Sequence, residues 1–124
     1  MLNIPATSST PSVTWLEDGA VLGLSGESYP ENSFAFFAPV FAWLNERLPS
    51  LPAIRLEVSV SYMNSSSTKC ILDIIDLLAE AATRGCVASI LWLYERDNER
   101  ALELAEEFLE DIEIPFEIRP IEGS

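Results

Sequence analysis

The chain contains no histidine. Imidazole is the one side chain that ordinarily titrates near neutrality, so Ser-His-Asp triads, Cys-His pairs and most zinc sites are closed to this chain acting alone. Glycine is scarce, with five in 124 residues, and neither GxxxxGK[ST] nor GxGxxG occurs. A phosphate-cradling loop for a nucleotide is therefore not expected. Seven basic residues stand against twenty acidic ones, a formal charge of −13. That balance repels a phosphate backbone, and no Lys/Arg stripe exists to overcome it, which argues against nucleic-acid binding. No apolar run approaches the roughly twenty residues a membrane-spanning helix needs, and the N-terminus lacks the basic-then-apolar pattern of a secretion signal. A cytoplasmic protein without membrane contact is expected.

Only two cysteines are present, Cys70 and Cys86, in neither metal-ligand nor Cys-x-x-Cys spacing. Each lies among Ile, Leu, Val or Ala, which suits a small core residue. Acidic side chains are then the only abundant catalytic material. Asp73 and Asp76, three apart on one helix, could ligate Mg²⁺ or act as an acid-base pair, and Glu31 could join them in a carboxylate-dependent enzyme. The plainer reading is a solvated helix face with no further ligands nearby. The acidic run from Glu95 to Glu113, including Glu99 and Glu103, reads the same way. Neither a metal nor another cofactor is expected, and the chain is read as a non-enzyme.

With 48% hydrophobic residues the chain suits one domain over 1–124, with residues 1–10, rich in Ser, Thr and Pro, as a loosely held arm. Val13–Leu16 and Ala20–Ser25 flank Glu17-Asp18-Gly19 and predict an antiparallel hairpin. Pro30 suits a first helical turn, and a helix over 30–48 follows, with a kink or break expected near Pro39. Ile54, Leu56, Val58, Val60 and Tyr62 alternate with polar residues and predict a half-buried strand. The period then turns helical through Ile71, Ile74, Ile75, Leu78 and Ala82, closed by Arg84 and Gly85. Cys86–Tyr94 predicts a central strand, Asp97 or Asn98 the cap of a third helix, and Phe116–Ile118 a last strand. The result is α/β: an N-terminal hairpin, then α-β-α-β-α-β, with helices packed on a mixed sheet.

Asn64-Ser65-Ser66-Ser67-Thr68 sits at a predicted strand-to-helix junction. The first amides of a helix lack partners and carry about half a positive charge, so an anion fits there. Asn, Ser and Thr are also the best N-cap residues, and on composition alone capping is the favoured reading. A phosphate at the same place would change the surface without melting the helix.

Four ordered stretches carry a resemblance across nearly the whole chain. They are Thr10-Pro11-Ser12-Val13, Gly26-Glu27-Ser28-Tyr29-Pro30-Glu31-Asn32, Tyr62-Met63-Asn64-Ser65-Ser66-Ser67, and Trp92-Leu93-Tyr94-Glu95 leading through Asn98-Glu99 to Glu106-Glu107-Phe108. Together they resemble the SiaC-type regulatory phosphoproteins of bacteria, whose fold is similar to the STAS domains of anti-sigma-factor antagonists. The resemblance implies a signalling switch phosphorylated at the hydroxyl directly after Tyr-x-Asn, here Ser65, with Ser66 and then Thr68 as the next candidates. The family typically has Thr at the Ser65 position. It also implies a dedicated Ser/Thr kinase, a PP2C-type phosphatase, and a target that the unmodified protein binds and activates, a diguanylate cyclase in the best-known members. Tyr29, Pro30, Glu31, Asn32, Tyr62, Asn64, Ser66 and Ser67 are the partner-binding candidates. An anti-sigma-type partner-switching circuit and a passive adaptor or oligomerisation module are the alternatives, and a homodimer through the acidic helix or the sheet edge stays open.

Overall fold

The computed structural model describes residues 2–122. Its six strands are β1 (Asn3–Ile4), β2 (Ser12–Leu16), β3 (Val21–Ser28), β4 (Ala53–Met63), β5 (Val87–Glu95) and β6 (Phe116–Ile121). Three helices, α1 (Ser33–Arg47), α2 (Ser65–Thr83) and α3 (Glu99–Glu110), connect the last four strands. The strands form one sheet in sequence order, antiparallel from β1 to β3 and parallel from β3 to β6. This is the expected mixed-sheet α/β architecture with one addition. Residues 2–10, read in the sequence as a loose arm, supply the edge strand β1, whose Asn3 and Ile4 pair with Thr14 and Val13. Leu2 is buried, and its carbonyl accepts from the Trp15 amide at 3.0 Å.

The register explains why a largely parallel sheet reads as strictly alternating. Rows such as Trp15, Leu22, Leu56 and Ile90, or Leu24, Val58 and Trp92, are in register and buried. The rows between them hold Thr14, Gly23 and Glu57, half-buried, and reach a buried residue only at Leu91. Parallel sheets normally carry helices on both faces and show continuous apolar runs. Here all three helices pack on the face of the buried rows, as same-handed crossovers between adjacent strands require, so the other face stays mostly polar.

The hairpin forms as expected, closed by residues 17–20, where Gly19 and Ala20 both have left-handed backbone at φ 88° and 55°. α1 departs from expectation at its start and in having no break at Pro39. It begins at Ser33 rather than Pro30, because the Asn32 side chain accepts from the Ala35 amide and so sets the first turn. The helix also runs unbroken through Pro39. Pro39 and Ala35 are both exposed, so the carbonyl that Pro39 leaves without a donor can be served by water. A single 3₁₀ turn over Leu48–Ser50 ends it. Phe37, Val40 and Leu44 from α1 and Ile71, Ile74 and Leu78 from α2 fill the core over the sheet. Trp92 sits between Phe108 and Phe116, with ring centroids 4.8 and 5.9 Å away.

Candidate functional site: the serine junction

Three parallel strands end at the same side of the sheet, and each is followed by a helix capped by asparagine. Asn32, Asn64 and Asn98 accept from the amides of Ala35, Ser67 and Ala101. Open parallel sheets characteristically bind their ligands at this edge, where helix N-termini converge. Neither α1 nor α2 has an acidic residue in its first turn. In a chain with twenty acids this leaves the positive ends of those two helix dipoles unneutralised.

A ladder of hydroxyls welds the ends of β3, α1 and α2 together. Ser28, Ser33 and Ser67 are almost completely inaccessible. The Ser28 hydroxyl donates to Ser67 Oγ at 2.7 Å, and Ser33 Oγ lies 3.0 Å from Ser67 Oγ and 2.7 Å from Ser66 Oγ. Asn64 completes the junction by donating from Nδ2 to the Pro30 carbonyl at 3.2 Å. Buried hydroxyls are costly unless paired, so the chain holds this arrangement in one geometry. Ser28 and Ser33 were not singled out in the sequence. Their spacing shows no periodicity, and only the parallel pairing of β3 with β4 brings them to Ser67.

The geometry separates the phosphorylation candidates. Ser67 is fully buried and occupied by the ladder, which removes it from direct partner contact as well. Ser66 is half-buried and shares its hydroxyl with Ser33 and Asn64. Thr68 is half-buried and donates to the Asn64 carbonyl at 3.1 Å. Ser65 is exposed, and among the described residues its hydroxyl has no hydrogen-bond partner.

The partner-binding candidates divide similarly. Glu31 and Asn32 are exposed, whereas Pro30 and Asn64 are half-buried and tied to each other. Tyr62 corrects the sequence reading, which put it on the apolar face of β4. Gly26 pairs with Val60 but Glu27 pairs with Tyr62, so Ser61 is an extra residue in the strand. Gly26, at φ 119°, supplies the backbone freedom beside this bulge. The one-residue slip turns Tyr62 outward, 54% exposed, and gives its inward place to the buried Met63. Tyr62 then meets Tyr29, itself 41% exposed, edge to face at 5.8 Å. Two tyrosines thus stand on the surface where β3 and β4 run into the junction, Tyr62 three residues before Ser65 and Tyr29 directly after Ser28, which pairs with Met63.

Elsewhere the chemistry is sparse. Asp73 pairs with Lys69 at 3.1 Å and Asp76 is exposed. Among the described residues no three His, Cys, Asp or Glu side chains gather to hold a metal ion. Cys70 is buried and Cys86 half-buried, and burial pushes both thiols above their ordinary range. No helix among the described residues is long and apolar enough to cross a membrane.

Residues 4–121 match the SiaC family regulatory phosphoprotein model. The chain belongs to this family. A relative described as an uncharacterized protein of Pseudomonas aeruginosa strain UCBPP-PA14 is 43% identical over 119 residues, spanning 95% of this chain and 94% of its own. Among solved structures, the crystal structure of the diguanylate cyclase SiaD in complex with its activator SiaC, from P. aeruginosa, holds a chain 42% identical. It matches with a TM-score of 0.91 over 98% of this chain and 100% of that one. Apo-SiaC from the same organism is 40% identical with a TM-score of 0.87, over 95% of this chain and 97% of that one. In this SiaC-family chain the serine junction and the tyrosine pair are therefore parts of a regulatory domain.

Proposed function

We propose that this chain is a non-catalytic phosphorylation switch: unmodified, it binds and activates a diguanylate cyclase, and phosphorylated on Ser65 it releases that partner. The carrying observation is the exposed, unengaged Ser65 hydroxyl at the first position of α2, beside neighbours that are buried or hydrogen-bonded. Membership of a family of regulatory phosphoproteins supports modification. The partner's class is supported by the relative whose solved complex pairs SiaC, as activator, with SiaD. A cognate Ser/Thr kinase would add the phosphate and a PP2C-type phosphatase remove it, in the cytoplasm.

The physical logic needs no refolding. A phosphate brings about −1.5 to −2 charges, which the unneutralised N-terminus of α2 tolerates. Buried against a partner without a cation, the same group costs several kcal/mol, and about 4 kcal/mol already weakens binding a thousandfold. Phosphopeptide mapping after treatment with the cognate kinase, together with the affinity of Ser65→Ala and Ser65→Glu for the cyclase, tests this reading. Phosphate on Ser65, with binding kept by Ser65→Ala and lost by Ser65→Glu, is expected. Phosphate found only at Ser8, Ser9 or Thr10, or equal affinity of both variants, would sink it.

A further inference from the structure

A protein with formal charge −13 would be expected to engage its partners through charge, yet α1, whose first residue bonds the first turn of α2, is uncharged along most of its length. From Asn32 to Asn45 there is no charged residue. The inner side of α1 buries Phe37, Val40 and Leu44. Its outer side exposes Phe34, Ala35, Ala38, Pro39 and Ala42, a stripe at helical spacing. Phe34 alone is 57% exposed. An outer helix of a two-layer domain normally turns charged or polar residues to water, and one that is apolar all round signals a covered surface. The stripe is continuous with the phosphorylation junction, because Ser33 at the start of α1 bonds Ser66 and Ser67 in the first turn of α2.

We infer that the outer face of α1 is the seat of an uncharged, apolar helix or loop of the activated partner, in a contact that the Ser65 phosphate borders and opposes. This rests on the proposed switch and adds what the partner must present. Area requires any occupant to reach beyond α1, and the relative's solved complex, which pairs SiaC with SiaD, favours a foreign partner over a second copy. The helix has 15 residues and is about 22 Å long, so its face offers on the order of 250 Å². A stable interface needs about 800 Å² per partner, so α1 alone falls short for two copies back to back. A partner that also covers the Tyr29–Tyr62 pair and the junction between them reaches further. An apolar contact also accounts for the direction of the switch. A basic partner would be drawn to an added phosphate, whereas an apolar one cannot solvate it.

The test uses purified SiaD of P. aeruginosa, the cyclase bound by the 42% identical relative, as the probe. Phe34→Glu and Ala38→Glu both lie at exposed positions, and circular dichroism checks that they fold as the wild type does. Each is expected to weaken SiaD binding by about a hundredfold, as a desolvated, unpaired carboxylate does. Wild-type affinity is expected to change less than about threefold as salt rises from about 0.05 to 0.3 M, because screening acts on charge and not on apolar burial. If SiaD binds the wild type and both variants equally, this inference fails while the switch survives. A fall of tenfold or more across the salt range makes the contact ionic and overturns it. So does a wild-type dimer in sedimentation that Phe34→Glu dissociates, since the occupant is then a second copy. A wild type that does not bind SiaD at all defeats the proposed function, and this inference with it.

Discussion

Replacing the three capping asparagines by alanine one at a time should give unequal losses of stability. All three make the same cap, an Oδ1 acceptor for the amide three residues on, at 2.9–3.1 Å. That bond alone is worth about 1 kcal/mol. They differ in what else the amide holds. Asn32 is exposed and contributes only its cap. Asn98 adds a long bond from Nδ2 to the Ser61 carbonyl, at 3.4 Å. Asn64 donates to the Pro30 carbonyl at 3.2 Å in a half-buried setting and accepts from the Ser33 and Ser66 hydroxyls at 3.4 and 3.3 Å.

Asn64→Ala leaves a half-buried carbonyl and a buried hydroxyl short of a partner, adding about 1–2 kcal/mol to the cap. The expected losses are about 2–3 kcal/mol for Asn64→Ala, about 1–1.5 for Asn98→Ala and about 0.5–1 for Asn32→Ala. At this chain length 1 kcal/mol moves the melting temperature by about 3–5 °C. Asn64→Ala should therefore melt about 8–12 °C low, and Asn32→Ala only a few degrees low. Urea unfolding followed by tryptophan fluorescence and by circular dichroism measures all three. Asn64→Asp keeps the cap acceptor but loses the donor to Pro30, and should fall between wild type and Asn64→Ala. If Asn32→Ala costs as much as Asn64→Ala, the hydroxyl ladder is not what holds the junction.

Ser65→Glu places a carboxylate in the first turn of α2, which has no acid of its own, and should raise stability by about 0.3–1 kcal/mol at low salt. A lower melting temperature for that variant would contradict the dipole argument. Burial, reinforced by Asp73 and partly offset by Lys69, keeps the Cys70 thiol protonated where an unfolded thiol ionises. Iodoacetamide should therefore label it slowly until urea unfolds the chain. The stability this lends is full below the ordinary thiol range and is lost as pH rises through the elevated one, so the urea midpoint should fall at alkaline pH.

Most elements were legible because the physics that sets them is local. The alternation of Ile54 to Val60, the Asp-Gly hairpin and the helical spacing of Ile71, Ile74 and Leu78 each act within a few residues. The misses arise where a distant partner decides. Asn3 and Ile4 read as arm because nothing nearby marks a strand of two residues, and they become one only by adding to the edge of β2. Pro30 is a good first helical residue, but Asn32 is a better cap and takes the start two residues later.

Tyr62 shows how the same limit bears on the site. Read by period it belongs inside, and one inserted residue at Ser61, visible only when β3 and β4 are paired, reverses its side. The reversal costs a ladder irregularity and an exposed tyrosine, which packing alone gives no reason to keep. Equally, α1 keeps Phe34 and its apolar stripe in water although one charged substitution would improve solubility. Both irregularities lie beside Ser65 and face outward. A chain with twenty acids has left the face of α1 that adjoins this hydroxyl uncharged from Asn32 to Asn45. That contrast gives a single phosphate its leverage: on an already acidic surface two more charges would change little, whereas on this ground they alter the one property a partner there depends on.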